Sequence, residues 1–145
     1  MFDVQVDSLK GRFFDRPRVL RAVGRGERRA LSRFGAFVRR RDQTSQRRRR
    51  AVSRPGEPPS AHVGLVREQT YFAYDPAARS VVIGPALLRR ADGRTLRLLE
   101  HGGETTIIYR GRRVRAVYRP RPHTGPAFAT ELSRAAPCFR DTVKG

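Results

Sequence analysis

The chain has 145 residues, with 32 Lys or Arg against 13 Asp or Glu, which gives a formal net charge of +19 at pH 7. Its single cysteine excludes an intramolecular disulfide framework, and no apolar run approaches the roughly 20 residues needed to span a membrane. With 38% hydrophobic residues, the chain can build one modest core, and we expect residues 1–145 to form a single domain. The charge favours a polyanionic partner.

Residues 1–14 predict a short N-terminal strand or arm. Phe2, Val4 and Val6 alternate with polar residues, which is the period of a half-buried strand, although a frayed terminus remains the alternative. This acidic, alternating start differs from a signal peptide. We therefore expect the protein to be made and used in a cytoplasm, or in a particle assembled there.

Residues 15–50 predict a long basic helix. Asp15 is a suitable N-cap, and Pro17 is tolerated in the first helical turn. Apolar residues then recur at helical spacing, and arginines fill most of the positions between them. We expect the apolar face to pack on a sheet through Val19, Leu20, Val23, Leu31, Phe34 and Val38.

Positive charge is concentrated in residues 16–54, which contain fifteen arginines and two acids. This segment either forms a solvated basic tail or contacts DNA phosphates or an acidic protein surface. The planar guanidinium, with its fork of donors, suits both phosphates and carboxylates. The residues predicted for such a contact are Arg39, Arg40, Arg41, Arg47, Arg48, Arg49 and Arg50.

Residues 51–66 predict an extended arm rich in proline and glycine. Proline removes a backbone donor and fixes φ, which excludes a helix interior or a central strand here. The arm is either an exposed linker or a contact surface for a neighbouring subunit or partner. In the second interpretation the contact residues are Ser53, Pro55, Gly56, Glu57, Pro58, Pro59, Gly64 and Leu65.

Residues 67–120 predict two β-hairpins. Strands over residues 69–74 and 80–84 flank a turn containing proline, and strands over residues 105–109 and 113–118 flank a turn containing glycine. Together with the helices, they predict an α+β fold. In this fold the long basic helix and a C-terminal helix pack on a mainly antiparallel sheet of about four to five strands.

Two shorter helical segments accompany the hairpins. Leucines over residues 96–99 predict a short helical turn that Gly102 and the next glycine stop. Residues 121–145 predict a C-terminal helix and tail, in which Pro126 opens the helix and Pro137 closes it.

Candidate chemistry is sparse. His62, His101, His123 and Cys138 are the possible zinc ligands, but their spacing matches no compact metal motif. Glu100 beside His101 suggests acid–base chemistry, yet a helix end explains the same pair. Small basic ribonucleases work through arginine and histidine on a sheet, so an enzyme remains an alternative. We expect no metal, no cofactor and no enzymatic activity.

Several motifs, taken in order, resemble the tail-completion, or minor tail component, family of long-tailed double-stranded DNA phages and prophages. The resemblance covers roughly residues 13–145 and includes the basic segment 35–40. It departs from the family at Val63, where threonine is frequent, and at His101, where an aromatic is common. The motifs are residues 53–59, 64–65, 80–85, 98–103 and 121–127. The family positions within them include Gly84, Pro85, Glu100, Gly102, Gly103, Arg121, Pro122 and Pro126.

The resemblance implies a structural virion protein rather than an enzyme. Such a protein forms a ring, usually a hexamer, at the head–tail interface or the head-proximal end of the tail, after assembly in the host cytoplasm. The implied partners are further copies of the chain, neighbouring connector or stopper, tail terminator and tail tube proteins, and genome DNA in the channel. The residues alone also leave open a stand-alone basic nucleic-acid-binding protein or, further off, a ribonuclease-like toxin.

Overall fold

A computed structural model describes residues 16–61, 65–86, 93–140 and 142. The helices are α1 (Arg16–Ser45), α2 (Leu65–Glu68), α3 (Gly93–His101), α4 (Thr124–Glu131) and α5 (Ala135–Phe139). The strands are β1 (Thr70–Asp75), β2 (Ser80–Pro85), β3 (Gly103–Tyr109) and β4 (Arg112–Tyr118). The predicted strand over residues 1–14, the proposed N-cap Asp15, His62, Val63 and Gly64 lie outside the described residues.

Helix α1 is the long basic helix that the periodicity predicts. Its buried face repeats every four residues, a spacing that keeps these positions on one side of the helix. The buried positions of this face are Gly26, Ala30, Phe34, Val38 and Asp42. Helix α1 ends at Ser45, whose hydroxyl donates to the Asp42 carbonyl at 2.7 Å. The helix therefore stops five residues before the predicted boundary at residue 50.

The first three turns of α1 do not pack as predicted. Val19, Leu20 and Val23 are exposed, with Leu20 at 60% of its full accessibility. Helical periodicity identifies an apolar face but not how far the neighbouring element reaches along it. The first buried position is Gly26, and the core around α1 is formed by Ala30, Phe34 and Val38.

The β1–β2 hairpin packs on the second half of α1 at a position that only glycine allows. A Cβ atom on Gly35 would lie 2.8 Å from Val81 Cγ2 and 2.9 Å from the Phe72 ring. The missing side chain lets the helix and the hairpin approach closely. Phe72 faces Ile83 and Tyr74 faces Val81 across the antiparallel pair.

The four predicted strands form two separate two-stranded sheets, β1–β2 and β3–β4. The α+β class and the antiparallel pairing are confirmed, whereas the single sheet of four to five strands resolves into two hairpins. In the β1–β2 turn, Asp75 Oδ1 accepts hydrogen bonds from the backbone N–H groups of Ala77 and Ala78. In the β3–β4 turn, Arg110 and Gly111 both have positive φ, as a tight hairpin turn requires.

The C-terminal helix is broken into two parts. Helix α4 begins at Thr124 with Pro126 in its first turn, close to the predicted start. A 3-10 turn over Leu132–Arg134 then leads into α5. Pro137 lies inside α5 instead of ending the helix, because proline is tolerated in a first turn, where its missing N–H has no helical partner. The Phe128 ring packs edge-to-face on Phe34 at 5.7 Å.

We predict that Phe34→Ala lowers the free energy of unfolding by about 3–5 kcal/mol, because it leaves a cavity between α1 and α4. Leu20→Ala on the same helix should change it by less than about 0.5 kcal/mol, because Leu20 is exposed. Chemical denaturation followed by circular dichroism measures both values. Equal losses for the two variants would contradict the described packing of α1.

Candidate functional site: a buried junction and a basic surface

Helix α1 carries a carboxylate into the interior, where donors from three elements surround it. Asp42 has no exposed surface. Its Oδ2 atom accepts a hydrogen bond from Thr70 Oγ1 at 2.9 Å, and Thr124 Oγ1 lies 3.3 Å away. Its Oδ1 atom contacts His123 Nδ1 at 2.8 Å and Gln46 Nε2 at 3.3 Å. We call these five residues the Asp42 cluster.

The geometry of the Asp42 cluster assigns the proton on His123. A carboxylate only accepts hydrogen bonds, so the proton on the near side of the ring lies on Nδ1. The other nitrogen, Nε2, is buried without a hydrogen-bond partner among the described residues and lies 3.6 Å from Glu100 Oε2. His123 is 3% exposed, which keeps bulk water away from this nitrogen.

Glu100, near the end of α3, caps the start of α4. Its Oε2 accepts from the backbone N–H groups of His123 at 2.9 Å and Thr124 at 3.1 Å, and its Oε1 accepts from Gly125 at 2.8 Å. The first N–H groups of a helix have no partner within the helix, and a carboxylate there also meets the positive end of the helix dipole. The contact fastens α3 to α4.

Both carboxyls are held ionised. Burial raises the pKa of Asp42, but the hydrogen bond and charge of His123 and the hydrogen bonds of Thr70 and Gln46 outweigh burial, so the pKa lies below its ordinary value of 3.8. Burial likewise raises the pKa of Glu100, but three backbone N–H groups of α4 outweigh it, and the pKa lies below 4.5. The two ionised carboxylates therefore contribute fully to stability at a pH above their ordinary pKa values, and this contribution is lost as the pH falls below those values.

The family positions meet at this junction. Gly102 ends α3 at φ +73, and a Cβ atom there would lie 2.9 Å from Pro120. The Arg121 N–H donates to the Leu99 carbonyl at 2.6 Å, which holds the segment after β4 against α3. The remaining family positions lie around the same elements: Gly84 and Pro85 at the end of β2, Gly103 at the start of β3, Pro122 before His123, and Pro126 in α4.

The proline-rich arm lies along the surface of its own subunit. Arg121 Nε donates to the Ser53 carbonyl at 3.1 Å, and the Gly56 N–H donates to the Pro120 carbonyl at 2.9 Å. Ser53 and Pro59, two of the predicted contact residues, are buried against their own subunit.

The tip of the arm remains exposed. Pro55 and Gly56 occupy a turn closed by the Glu57 N–H and the Arg54 carbonyl at 3.1 Å, and Gly56 has φ +84. Arg54, Pro55 and Gly56 are exposed, whereas Glu57 and Pro58 are half-buried. Leu65 begins α2. Among the predicted contact residues of the arm whose burial is described, Pro55 and Gly56 are the exposed ones, so they can meet a partner without rearrangement of the subunit.

The seven predicted contact arginines divide into two groups. Arg39 donates to the Thr70 carbonyl at 2.8 Å and stacks on Tyr71, and Arg41 pairs with the buried Glu131 at 2.8 Å, so both hold the fold together. Arg49 lies 3.5 Å from Glu57 in an exposed pair. The exposed arginines Arg40, Arg47, Arg48 and Arg50 carry the remaining charge of this group.

The possible zinc ligands are not brought together. His101 is exposed, His123 belongs to the Asp42 cluster, and Cys138 is buried in the apolar core with Phe34. Across residues 16–61, 65–86, 93–140 and 142, no group of three His, Cys, Asp or Glu side chains could hold a metal ion. Within the same ranges no helix is long and apolar enough to cross a bilayer.

Sequence reasoning missed most of the Asp42 cluster. Asp42 and Gln46 follow Val38 at intervals of four, so they continue the buried face of α1, and this spacing was the available signal. Thr70 gives no comparable signal in the sequence, and His123 stands out there only as a possible metal ligand and as part of the motif 121–127.

No family model, curated protein or solved structure matches this chain. The described geometry provides a rigid junction in which α1, α3, α4 and the arm are tied together by buried polar contacts. Beside it lies a basic surface that includes the arm tip and the exposed arginines.

We predict that Asp42→Asn flattens the acid dependence of stability. The wild-type protein should lose stability as the pH falls below about 4, because the unfolded chain, in which both carboxyls have their ordinary pKa, then binds more protons than the folded chain. The variant should lose less, because one of these carboxyls is absent. Denaturant unfolding at several values between about pH 7 and pH 3 measures the slope.

Thr70→Val is the control for this prediction. It removes one hydrogen bond to Asp42 but keeps the carboxylate, so it should lower stability at neutral pH and retain an acid-dependent loss. If Asp42→Asn and the wild type lost stability in parallel on acidification, the buried carboxylate would not have the assigned role.

Proposed function

We propose that this protein is a structural, non-enzymatic subunit of a tailed-phage particle. It forms a ring, most simply a hexamer, at the head–tail interface or the head-proximal end of the tail, and it joins the tail to the connector around the DNA channel. Its partners in this proposal are copies of itself and the connector or stopper, tail terminator or tail tube proteins next to it. Genome DNA in the channel is a further, non-specific contact.

One observation carries the proposal: separate motifs that resemble the tail-completion family bond to one another in the fold. Arg121 binds the backbone of Ser53 and of Leu99. Glu100 binds the backbone at the start of α4, within the motif that begins at Arg121. Direct hydrogen bonds thus join three of these motifs to one another in the fold. Their contacts support a common scaffold.

The environments of Glu100 and His123 support a structural role over the ribonuclease alternative, while His101, which the sequence pairs with Glu100 for acid–base chemistry, is exposed. The two carboxylate oxygens of Glu100 accept hydrogen bonds from three backbone N–H groups. His123 is 3% exposed and faces Asp42 through Nδ1. Both side chains therefore act within the fold, as partners of the backbone and of another carboxylate.

The exposed charge supports assembly around an anion. A ring repeats Arg40, Arg47, Arg48 and Arg50 in every subunit, so repulsion grows as subunits join. DNA in the lumen or acidic surfaces on adjacent rings would offset this repulsion. The run lies beside the arm, since the Ala61 N–H donates to the Arg47 carbonyl at 3.1 Å. One surface could thus serve both subunit contact and anion contact.

The arm tip provides a test of ring formation. We predict that Pro55→Glu leaves the subunit folded but shifts it from ring to monomer, because it places a carboxylate at the exposed tip. Pro76→Glu is a matched control, since Pro76 is also an exposed proline in a surface turn. Sedimentation velocity measures assembly, and thermal unfolding checks the fold. A ring that tolerates Pro55→Glu as well as Pro76→Glu would remove the arm from the interface.

The arginine run provides a second test. We predict that changing Arg47, Arg48, Arg49 and Arg50 to glutamine weakens DNA binding and its dependence on salt, because each phosphate contact releases counterions. A control variant changes Arg16, Arg25, Arg28 and Arg29, which are also exposed, and removes the same charge. Binding of random-sequence duplex DNA at several salt concentrations measures the effect.

The two variants distinguish the candidate functions. If the two four-arginine variants weaken DNA binding equally, the loss follows from net charge alone, and residues 47–50 make no specific contribution to DNA binding. If the chain binds DNA tightly as a monomer and never assembles, the stand-alone nucleic-acid-binding alternative replaces the ring. If the run variant keeps its DNA affinity but fails to dock in the particle, the run contacts an acidic protein.

A further inference from the structure

The β3–β4 hairpin is the most exposed regular element among the described residues. Every residue of β3 except Thr105 is exposed, and so is every residue of β4 except Ala116 and Tyr118. By contrast, β1 begins at the fully buried Thr70. A two-stranded hairpin without a covered face is marginally stable in water. Its exposure therefore indicates a surface that is covered by another molecule.

The register of the hairpin places apolar residues on both faces. Ile107 lies opposite Val114, and the half-buried Thr105 and Ala116 form the next pair on that face, nearer the base of the hairpin. On the other face, Ile108 is 77% exposed and Val117 is 68% exposed. Moving aliphatic side chains out of water lowers the free energy of the complex, and a phosphate offers no apolar surface for this burial. The exposed aliphatic residues therefore favour a protein partner over phosphates.

The charge of the hairpin defines the chemistry of that partner. Four arginines lie along it, at positions 110, 112, 113 and 115, against the single acid Glu104. Glu104 already pairs with Arg115 across the strands. The guanidinium groups of the other three arginines are exposed and can bind carboxylates through a planar fork of donors. The same hairpin of a second copy would present the same arginines and would repel this one.

Backbone geometry provides a further mode of contact. Each sheet among the described residues has two strands, so both β3 and β4 have an outer edge. An outer edge carries unpaired N–H and C=O groups that can pair with a strand of another chain. Arginines beside such an edge disfavour pairing between identical basic chains and leave an acidic strand as the suitable partner.

We propose that the β3–β4 hairpin docks on an acidic surface of a different polypeptide. Its aliphatic residues enter an apolar groove, and its arginines pair with carboxylates on the rim. In so far as that polypeptide is an adjacent virion ring, the inference rests on the proposed function. The contact is separate from the arm tip, which serves subunit–subunit contact in that proposal.

The test places the photo-crosslinking residue p-benzoylphenylalanine at Ile108 of the full chain, in cells that produce the protein naturally. A control places it at Ala77, in the exposed β1–β2 turn. We expect an adduct from Ile108, but not from Ala77, with a different polypeptide whose crosslinked peptide is rich in Asp and Glu. Arg112→Glu with Arg113→Glu should lower the adduct yield about tenfold, because repulsion replaces attraction. Unfolding midpoints confirm that both variants fold.

The other outcomes overturn either this inference or the proposed function. Adducts with a second copy of the chain, with nucleic acid or with a basic peptide would assign the hairpin another partner, and absence of an adduct would leave it without one. An increase or no change in yield on charge reversal would remove the electrostatic argument. An acidic partner that is not a particle protein would support the hairpin contact and contradict the virion role. A ring in the particle together with no adduct from Ile108 would support the virion role and contradict the hairpin contact.

Discussion

The fold depends on one buried carboxylate. Asp42 has no exposed surface, and an ionised group in such a place must be surrounded by donors. Gln46, Thr70, His123 and Thr124 supply them from three parts of the chain. Because each donor must lie within hydrogen-bond distance, the cluster fixes where α1, β1 and the start of α4 meet.

This constraint extends outward through neighbouring contacts. His123 begins the segment that Glu100 caps, so α3 is positioned by the same part of the chain. Arg121, two residues earlier, holds the arm through the Ser53 carbonyl. The arm tip, the hairpin and the arginine run are thus all attached to a rigid centre. Surfaces held in this way suit a subunit that must repeat the same contacts around a ring.

The distribution of charge follows from the same centre. Arg39 and Arg41 are used inside the fold, where Thr70 and Glu131 engage them, whereas most other arginines face outward. With few acids to compensate them, these arginines create a field that favours anionic partners at every exposed face. The β3–β4 hairpin differs from the basic surface near Arg47 because it also exposes aliphatic residues. A different kind of partner is therefore proposed for each of the two surfaces.

Much of the fold could be predicted because local chemistry determines it. The four-residue spacing of Phe34 and Val38 predicts α1, and the turns at Asp75 and Gly111 predict the hairpins. Other features depend on contacts between distant residues. The exposure of Leu20 reflects where the hairpin ends, and Pro137 lies in the first turn of a second helix that follows a 3-10 turn.

The candidate site was predicted only in part, for the same physical reason. Glu100, Gly102 and Arg121 were identified through their resemblance to family motifs, but their mutual contacts arise from the tertiary fold. Asp42 looked like one of two acids in a basic segment, since a sequence does not show which donors will surround a carboxylate. The contacts of Arg39 and Arg41 within the subunit could not be predicted for the same reason, because their partners lie 31 and 90 residues away in the sequence.

The most direct measurement is cryo-electron microscopy of the DNA-containing particles produced by cells that encode this chain. The account predicts density for a closed ring of copies at the head-proximal end of the tail. In that ring the Asp42 cluster should lie inside each subunit, and the Arg47 surface should face DNA or an adjacent ring. Particles that are complete without this protein, while it is present in the same cells, would contradict the account.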